Sequence, residues 1–425
     1  MSNFSNTLAM KTIVQPLSKG IGFLKEERPT TSVGELGWNL LKEDVSLPAA
    51  VLYEEKLAHN LAWMQKFGES YGMKLAPHGK TTMAPKLFAR QLQAGAWGIT
   101  LATASQVRVA YEHGIRRVLM ANQLIGRQNM TIIARLQRDP DFEFYCLVDS
   151  PEQVETLGRF FQSQQQRLNV LLELGVPGGR TGVRNRDSLR QVVAAVSAWK
   201  KHIALCGIEV YEGVLSDESA ITAFLHRAVN VLNELAQEHR FGRTPVIISG
   251  AGSAWYDVVA EVFSKATFNA DVEPLLRPGC YLTHDAGIYR DAQRQIMERN
   301  SSARGMPPGL LPALQLWAYV QSIPEKNLAI IALGKRDAAF DAGLPTPALH
   351  FRPGQERPAA AAGDWRLTRM MDQHAYMQIA DGSDVRVGDM IGFDISHPCL
   401  TFDKWKYLLV VDSQYQVVDV VETFF

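Results

Sequence analysis

The sequence predicts an α/β fold: a TIM-like (β/α)8 barrel followed by a C-terminal antiparallel β domain. Short β-rich runs alternate eight times with amphipathic helical segments over about residues 47–284. One helical segment places Leu57 and Leu61 on a single face, and another has Asp187 positioned to cap its first turn. An open doubly wound sheet is the competing architecture, and the number of strands favours the barrel. The predicted strands span 74–77, 97–103, 117–122, 143–149, 169–175, 205–211, 245–249 and 275–283.

Polar or glycine-rich residues follow many of these predicted strands. Because active sites of this barrel lie at the carboxyl ends of the strands, the pattern supports a site at that rim. Similar residues also occur in ordinary βα turns. The residues concerned are 78–80, Ser105, Asn122, Asp149, 178–180, Tyr211 and 250–253.

The sequence pattern changes after about Arg290. The polar stretch 300–309, with Pro and Gly, is typical of a linker. Beyond it, β-rich runs predict an antiparallel β domain, while 340–364, rich in Pro, Ala and Gly, is expected to be a long loop. The predicted domains are an N-terminal extension (1–46) that packs on the β domain, a cofactor-binding barrel (47–290) and a C-terminal β domain (291–425). The predicted C-terminal strands span 314–323, 327–333, 374–379, 389–394, 405–411 and 416–423.

Composition excludes several classes of protein. Lys plus Arg and Asp plus Glu both number 44, so the formal net charge is zero, whereas binding to nucleic acid or a membrane surface calls for a basic excess. No apolar run is long enough to cross a bilayer, and the first 20 residues lack the apolar core of a signal peptide. The four cysteines are scattered, as expected of reduced thiols. We therefore expect a cytoplasmic protein.

Lys80 is a candidate amine nucleophile. It lies in the run APHGKT (76–81), at the end of the first predicted strand. A lysine at the barrel mouth loses hydration, which lowers the pKa of its amine and favours Schiff-base chemistry. A rim lysine exposed to solvent explains the spacing equally well.

The run ISGAGS (248–253) is a candidate phosphate site. It follows the seventh predicted strand and precedes a helical segment that starts near Tyr256. Small residues let the backbone approach a phosphate, and a helix start adds N–H donors and a favourable dipole. Barrel phosphate sites commonly occupy this part of the rim, so the position favours phosphate over an ordinary tight turn.

Arg180 lies in a second glycine-rich run, GGRTG (178–182), after the fifth predicted strand. A guanidinium held there can contact a phenolate, carboxylate or phosphate through two N–H groups. A solvated loop arginine fits the same pattern.

His397 and Cys399 lie two residues apart in HPC (397–399), so in an extended segment they point to the same side and could share a metal ion. Two ligands are too few for a closed zinc site, and a buried cysteine beside an unrelated histidine is the alternative. His374 could be a core histidine or a residue facing the same site.

Together these motifs resemble the D-serine dehydratase/D-threonine aldolase family, fold type III pyridoxal-phosphate enzymes related to alanine racemase. They occur in the family's order from about residue 47 to the C-terminus, and the most similar group is that of bacterial amino acid deaminases. The matching runs are PHGKT (77–81), GITLATAS (98–105), GRTGV (179–183), SGAGS (249–253), RPGCY (277–281), DQH (372–374) and HPC (397–399).

The resemblance implies roles for these positions. Lys80 would hold pyridoxal 5'-phosphate as a Schiff base, with Arg180 near its ring and Tyr211 near its pyridine nitrogen. His397 and Cys399 would bind a divalent metal, usually zinc, close to the substrate. The cofactor-binding set implied in this way is His78, Lys80, Arg180, Tyr211, Ser249, Gly250, Gly252, Ser253 and Tyr281, of which Gly250, Gly252 and Ser253 would hold the phosphate.

The sequence departs from the family in two places. The family commonly has His after Lys-Thr, where this chain has Thr82. The His- and Gly-rich continuation after Tyr211 is replaced by Glu212, Gly213 and Val214. Both changes lie near the expected substrate position and concern its identity more than that of the cofactor.

The activity implied is β-elimination of a D-3-hydroxy amino acid, such as D-serine or D-threo-3-hydroxyaspartate, to a 2-oxo acid and ammonia. Retro-aldol cleavage is the close alternative, and Cys399, in place of the carboxylate of some aldolases, favours dehydration. A non-catalytic cofactor-binding protein and a phosphate-binding barrel without pyridoxal phosphate are more remote alternatives. Related enzymes form head-to-tail dimers, so a homodimer acting on a small D-amino acid is expected, without nucleic-acid or membrane partners.

Overall fold

The structure is a computed structural model that describes residues 12–425. Its strands are β1 (Ile13–Val14), β2 (Arg28–Pro29), β3 (Ala49–Tyr53), β4 (Lys74–Leu75), β5 (Ile99–Leu101), β6 (Arg117–Gln123), β7 (Glu143–Val148), β8 (Leu168–Leu174), β9 (Ile203–Val210), β10 (Val246–Gly250), β11 (Val272–Leu276), β12 (Leu314–Glu325), β13 (Leu328–Ile331), β14 (Thr346–Phe351), β15 (Ala359–Ala360), β16 (Arg366–Met370), β17 (Ala375–Gln378), β18 (Met390–Asp394), β19 (Tyr407–Val411) and β20 (Val417–Glu422). The α-helices are α1 (Glu54–Ser70), α2 (Pro85–Gln93), α3 (Ala104–Glu112), α4 (Arg127–Leu136), α5 (Pro151–Ser163), α6 (Arg186–Ala198), α7 (Glu218–Gln237), α8 (Tyr256–Lys265), α9 (Ile288–Arg299), α10 (Ser301–Arg304) and α11 (Cys399–Phe402).

Strands β4 to β11 form a parallel sheet in which each strand from β5 to β10 pairs with the next in the chain, and β11 pairs with β4. The remaining edge closes where His78 bridges Thr100, whose N–H donates to the carbonyl of Pro77 at 2.8 Å. Each strand is followed by a helix, α2 to α9 in order. The predicted (β/α)8 barrel is therefore confirmed.

Helix starts in the barrel follow local capping chemistry. The side chains of Thr103, Ser150 and Asp217 each accept a backbone N–H in the first turn of α3, α5 and α7. For α6 the sequence analysis placed the cap at Asp187, and this is wrong: Asn185 is the cap, while Asp187 lies in the first turn. A carboxylate there still favours the helix, because it faces the positive end of the dipole.

The C-terminal domain is a mainly antiparallel sheet built around β12. This strand pairs with β3, β13 and β18, and β14 pairs with β18 and β15. The expectation of a long loop over 340–364 is thus wrong. Pro347 and the following irregularity in register interrupt the regular alternation that would have predicted β14 from sequence.

Strand β3 joins this sheet and not the barrel, since it pairs antiparallel with β12 and parallel with β19. The sequence boundary at residue 47 would assign β3 to the barrel. The predicted boundary at residue 290 falls inside α9, and residues beyond it still pack on the barrel. Arg299 forms a 2.7 Å ion pair with Asp257, and the side-chain amide of Asn300 donates to the Tyr71 hydroxyl. The last barrel strand ends at Leu276, so residues 277–283 are not an extended strand.

Residues 12–46 pack on the β domain. Val33 and Trp38 belong to one apolar cluster with Trp317 and Tyr407, and the Tyr407 hydroxyl donates to the carbonyl of Ile13 at 2.6 Å. The rest of the expected extension, residues 1–11, lies outside the described residues. None of the helices in residues 12–425 is both long enough and apolar enough to cross a bilayer.

Candidate active site

Lys80 lies in a 3-10 turn (Gly79–Thr81) directly after β4, at the carboxyl rim of the barrel. Gly79 lets this turn pack closely, because a Cβ there would lie 2.7 Å from the Phe88 ring and 2.9 Å from Ile99. The Lys80 side chain is accessible from the barrel mouth. A covalent partner can therefore reach its amine.

The surroundings of Lys80 favour its neutral amine. Desolvation at the rim lowers the pKa of Lys80, as do the charges of Arg180 and Arg277, whereas Cys399 and Cys280 act in the opposite direction. A neutral amine is the nucleophilic form. The structure therefore agrees with the predicted lowering of the Lys80 pKa.

His78 lies beside Lys80 as an uncharged ring. Burial lowers its pKa well below the ordinary value, and the nearby charges of Lys80 and Arg277 act in the same direction. Its Nδ1 atom is buried and has no hydrogen-bond partner within residues 12–425. A buried polar atom without a partner is costly, so this nitrogen is available to a bound group.

Arg180 and Tyr211 come from the turns after β8 and β9 and stack on each other. The guanidinium carbon lies 4.2 Å from the centroid of the Tyr211 ring, a cation–π distance. Gly213 permits this position of the ring, because a Cβ there would lie 2.6 Å from the Tyr211 hydroxyl. Arg180 is close enough for its charge to lower the pKa of Lys80.

The predicted phosphate loop is held by an acidic residue. Glu212 is completely buried and accepts the N–H groups of Ala251 at 3.0 Å and of Gly252 at 2.6 Å. Ala251 has a positive φ of 76°, which bends the chain sharply after β10. Ser249 lies inside the barrel, where its buried hydroxyl has no partner in the described chain. The N–H of Gly252, one of the residues expected to hold the phosphate, is thus used within the protein.

Ser253 remains as the main polar group of this loop. Its hydroxyl oxygen accepts the N–H groups of Gly279 at 3.2 Å and Cys280 at 3.1 Å, which leaves its own proton free to donate. Within residues 12–425 the N–H groups of Ser253 and Ala254 have no internal acceptor, and α8 begins just beyond them. This arrangement suits an anion at a helix start.

Below the site lies a buried layer of polar side chains, two acidic residues and one arginine, that sequence reasoning did not identify. Arg277 donates to the Glu209 carboxylate and, at 3.0 Å, to the carbonyl of Val210. Burial raises the pKa of Glu209 to about 8, although the charge of Arg277 acts against this shift. Glu173 is also buried and accepts from Gln123 and Thr181. The sequence feature that could have identified these residues is a single acidic residue within an otherwise apolar strand. It occurs at Glu173 in β8 and at Glu209 in β9.

Tyr281 does not share this environment. It is buried in the main hydrophobic core, where its hydroxyl accepts from Gln91 on α2 at 3.2 Å. Its neighbour Cys280, in contrast, acts on the pKa of Lys80, as does Arg277 of the same run. Sequence adjacency to the motif gave no indication of which of the two residues faces the site.

His397 and Cys399 reach the barrel mouth from the loop after β18. Cys399 Sγ lies 3.4 Å from Thr81 Oγ1, next to Lys80, and 3.7 Å from Cys280 Sγ. Hydrogen bonds from Cys280 and His397 lower the pKa of Cys399, and the bond with Cys399 raises the pKa of His397. Two separately predicted motifs, one on the barrel and one on the β domain, therefore meet at one place.

Asp341 is a further residue that sequence reasoning missed. Its carboxylate lies 2.8 Å from His397 Nδ1, so Nε2 is the ring nitrogen that does not contact this carboxylate. A carboxylate behind a histidine is the usual support of a metal ligand. His374, in contrast, is exposed on the turn between β16 and β17, and nothing in the described residues connects it with Lys80.

The donor set fits both groups implied by the resemblance. An accessible amine, an unpartnered buried His78 nitrogen and a free Ser253 hydroxyl suit a phosphorylated pyridine aldehyde. His397 and Cys399 supply nitrogen and sulfur donors, the types that zinc prefers. No group of three or more His, Cys, Asp or Glu side chains in residues 12–425 is arranged to hold a metal ion. If a metal binds here, His397 and Cys399 would be its two protein ligands, and the remaining positions would be open to water or substrate.

Two family models match the chain. Residues 53–283 match the alanine racemase N-terminal domain, and residues 313–411 match the putative serine dehydratase domain. The matched segments correspond to the barrel and to most of the β domain. Together they agree with the resemblance given by the sequence motifs.

Known proteins of similar sequence and structure are aldolases and dehydratases. The 3-hydroxy-D-aspartate aldolase of Paracoccus denitrificans (strain Pd 1222) is 22% identical over 353 residues, covering 80% of this chain and 82% of that protein. The D-threo-3-hydroxyaspartate dehydratase of Delftia sp. (strain HT23) is 28% identical over 341 residues, covering 79% and 84%. The crystal structure of D-threonine aldolase from Filomicrobium marinum superposes with a TM-score of 0.73 at 24% identity, covering 91% and 97%.

Proposed function

The chain belongs to the D-serine dehydratase/D-threonine aldolase family of alanine racemase-like lyases, and we propose that it is a D-amino acid dehydratase dependent on pyridoxal 5'-phosphate and a divalent metal. Its substrates would be D-3-hydroxy amino acids such as D-serine or D-threo-3-hydroxyaspartate, and its products a 2-oxo acid and ammonia. The observation that carries the proposal is the meeting of Lys80 on the barrel with Cys399 on the β domain.

The cofactor would be held by the rim of the barrel. Lys80 would bind its aldehyde carbon covalently, and Ser253 would donate to its phosphate. Arg180 and Tyr211 would border its ring, with His78 beside the lysine. Bound in this way, pyridoxal phosphate withdraws electrons from the substrate carbon that bears the amine.

Lys80 would also act as the base. Beside the bound cofactor, the Lys80 amine would take the proton from Cα of the substrate. The lowered pKa of Lys80 favours this role, because an amine must be neutral to accept a proton.

The metal would be held by His397 and Cys399, with Asp341 orienting the imidazole. A zinc ion there would act as a Lewis acid on the β-hydroxyl of the substrate. The protein's own contribution is to fix the Cys399 sulfur next to Thr81, one residue from Lys80. The hydroxyl that leaves is therefore expected to lie on the side of the substrate that faces the β domain.

Retro-aldol cleavage is the second candidate activity. Two of the similar proteins are aldolases, and this similarity supports retro-aldol cleavage. The same residues would break the Cα–Cβ bond after the β-hydroxyl loses its proton, and the products would be glycine and an aldehyde. The Cys399 ligand favours dehydration over this reaction.

The test is product analysis with paired D- and L-3-hydroxy amino acids, with and without a chelator. Oxo acid from D-substrates only, lost on chelation, is the expected result. Lys80→Ala should abolish it, while Lys66→Ala, on an exposed face of α1, should not. Glycine and aldehyde would assign the aldolase activity, and the absence of any product would overturn the proposal.

We also propose that the enzyme is a homodimer, as the family resemblance implies. Light scattering of the purified protein tests this. A fully active monomer would contradict it.

A further inference from the structure

Two of the four cysteines form a close pair across the two domains. Cys280 follows β11 of the barrel and Cys399 begins α11 of the β domain, 119 residues later, yet their sulfur atoms are 3.7 Å apart. All four cysteines are free thiols. Cys146 and Cys206 lie in β7 and β9 and are completely or almost completely buried.

The pair is placed for a covalent bond between the sulfurs. A disulfide needs a sulfur–sulfur distance of about 2.05 Å, so closing it requires a movement of about 1.6 Å. Side-chain rotation at a surface-accessible residue can supply a movement of this size, and Cys399 is only partly buried. Cys280 is 3% exposed, so a reagent from solvent reaches Cys399 first.

We propose that Cys280 and Cys399 form a reversible disulfide on exposure to a peroxide, and that this bond switches the enzyme off. In the first step the Cys399 sulfur attacks one peroxide oxygen, giving a sulfenic acid and one water. In the second step the Cys280 sulfur attacks the Cys399 sulfur and expels a second water. The two thiols are oxidised together, hydrogen peroxide is reduced to two waters, and a dithiol reductant reverses the change.

The consequence for activity rests on the proposed function. A sulfur bonded to Cys280 is no longer a thiolate ligand, so His397 alone would remain to hold the metal. The Lys80 turn and the Ser253 loop contribute no atom to the new bond. The oxidised enzyme should therefore lose metal and activity while it keeps its cofactor.

The experiment treats the purified, cofactor-loaded enzyme with hydrogen peroxide and analyses it before and after reduction with dithiothreitol and added zinc. Peptide mapping without reductant should yield one linked peptide containing both Cys280 and Cys399, two hydrogens lighter than its parts. Bound metal should fall by about one equivalent per chain, visible absorbance of the cofactor should persist, and activity should return on reduction.

Variants separate this mechanism from general oxidation. In Cys280→Ser, activity normalised to that of the untreated variant should no longer recover with dithiothreitol and added zinc, because without a partner thiol the Cys399 sulfenic acid is oxidised further by peroxide to a sulfinic acid that dithiothreitol does not reduce. In Cys206→Ala the cycle should proceed as in the parent protein. Absence of the linked peptide from the parent protein, or identical loss and recovery in Cys280→Ser, would overturn the proposal. A linked peptide in a protein without lyase activity would leave the thiol pair standing and refute the proposed function alone.

Discussion

At the scale of single residues, the chemistry of His397 depends on Asp341. The carboxylate at 2.8 Å fixes the Nδ1 side of the ring and directs Nε2 outward. Asp341→Ala should lower zinc affinity by about 10- to 100-fold, because the ring loses both its orientation and part of its basicity. Competition with a metal indicator measures this. Asp341→Asn should recover part of the affinity and Asp381→Ala, an exposed acidic residue, should lose none; equal affinity in all of them would contradict the role.

The burial of Glu209 leads to a second prediction at the scale of single residues. Burial raises its pKa to about 8 in the folded chain, against about 4.3 for an unfolded glutamate. The folded state therefore holds a proton that the unfolded state has lost between these values. The resulting contribution of Glu209 to the free energy of unfolding is complete below about pH 4.3 and is lost above about pH 8. Between these values it falls by at most about 1.4 kcal/mol per pH unit.

Glu209→Gln should remove this part of the pH dependence. The measurement is the free energy of unfolding of the cofactor-free protein between pH 5 and 9. The parent protein should lose stability relative to the variant as the pH rises to about 8, and the difference should then level off. Glu26→Gln, at an exposed position, should follow the parent protein. Parallel curves for parent and Glu209→Gln would show that Glu209 is ionised throughout.

At the scale of elements, the turn after β11 is pressed against the turn that carries Lys80. A Cβ on Gly279 would lie 2.6 Å from Thr81 Oγ1 and 2.8 Å from the carbonyl of His78. Gly279→Ala should therefore destabilise the protein by about 1–3 kcal/mol, the usual cost of overpacking, and weaken cofactor binding because the Lys80 turn must move.

The matched control is Gly305→Ala. Both glycines have negative φ angles, so alanine fits either backbone, but the nearest atom to a Cβ on Gly305 is 3.4 Å away. Denaturant unfolding and cofactor titration compare the two variants. If Gly279→Ala behaves like Gly305→Ala, the two turns are not rigidly packed.

At the scale of the whole molecule, Trp317 joins the N-terminal segment to the C-terminal domain. It is completely buried on β12, and its indole N–H donates to the Tyr53 hydroxyl of β3 at 3.2 Å. Trp317→Ala should cost about 3–5 kcal/mol, as for other large aromatic residues truncated in a core. Phe425→Ala, more than half exposed, should change stability by less than about 0.5 kcal/mol. Similar unfolding midpoints for both variants would show that the segment around β3 contributes little.

The sequence by itself determined the eight βα repeats, the β domain, the Lys80 turn, the glycine-rich loops and the HPC run. These features are local: periodicity over a few residues and the chemistry of single turns specify them. Because the carboxyl ends of parallel strands share one rim, local strand order also predicted that Lys80, Arg180 and Ser253 gather at the barrel mouth.

Only the tertiary structure decided which distant segments meet. It placed β3 beside β12 and β19, Cys280 beside Cys399, and Asp341 behind His397. The physical reason is that such contacts depend on how two domains pack, and a residue carries no signal of its partner when dozens to hundreds of positions separate them. The direction of neighbouring side chains also depends on packing. Only the folded chain shows that Tyr281 is buried in the core while its neighbour Cys280 reaches the site.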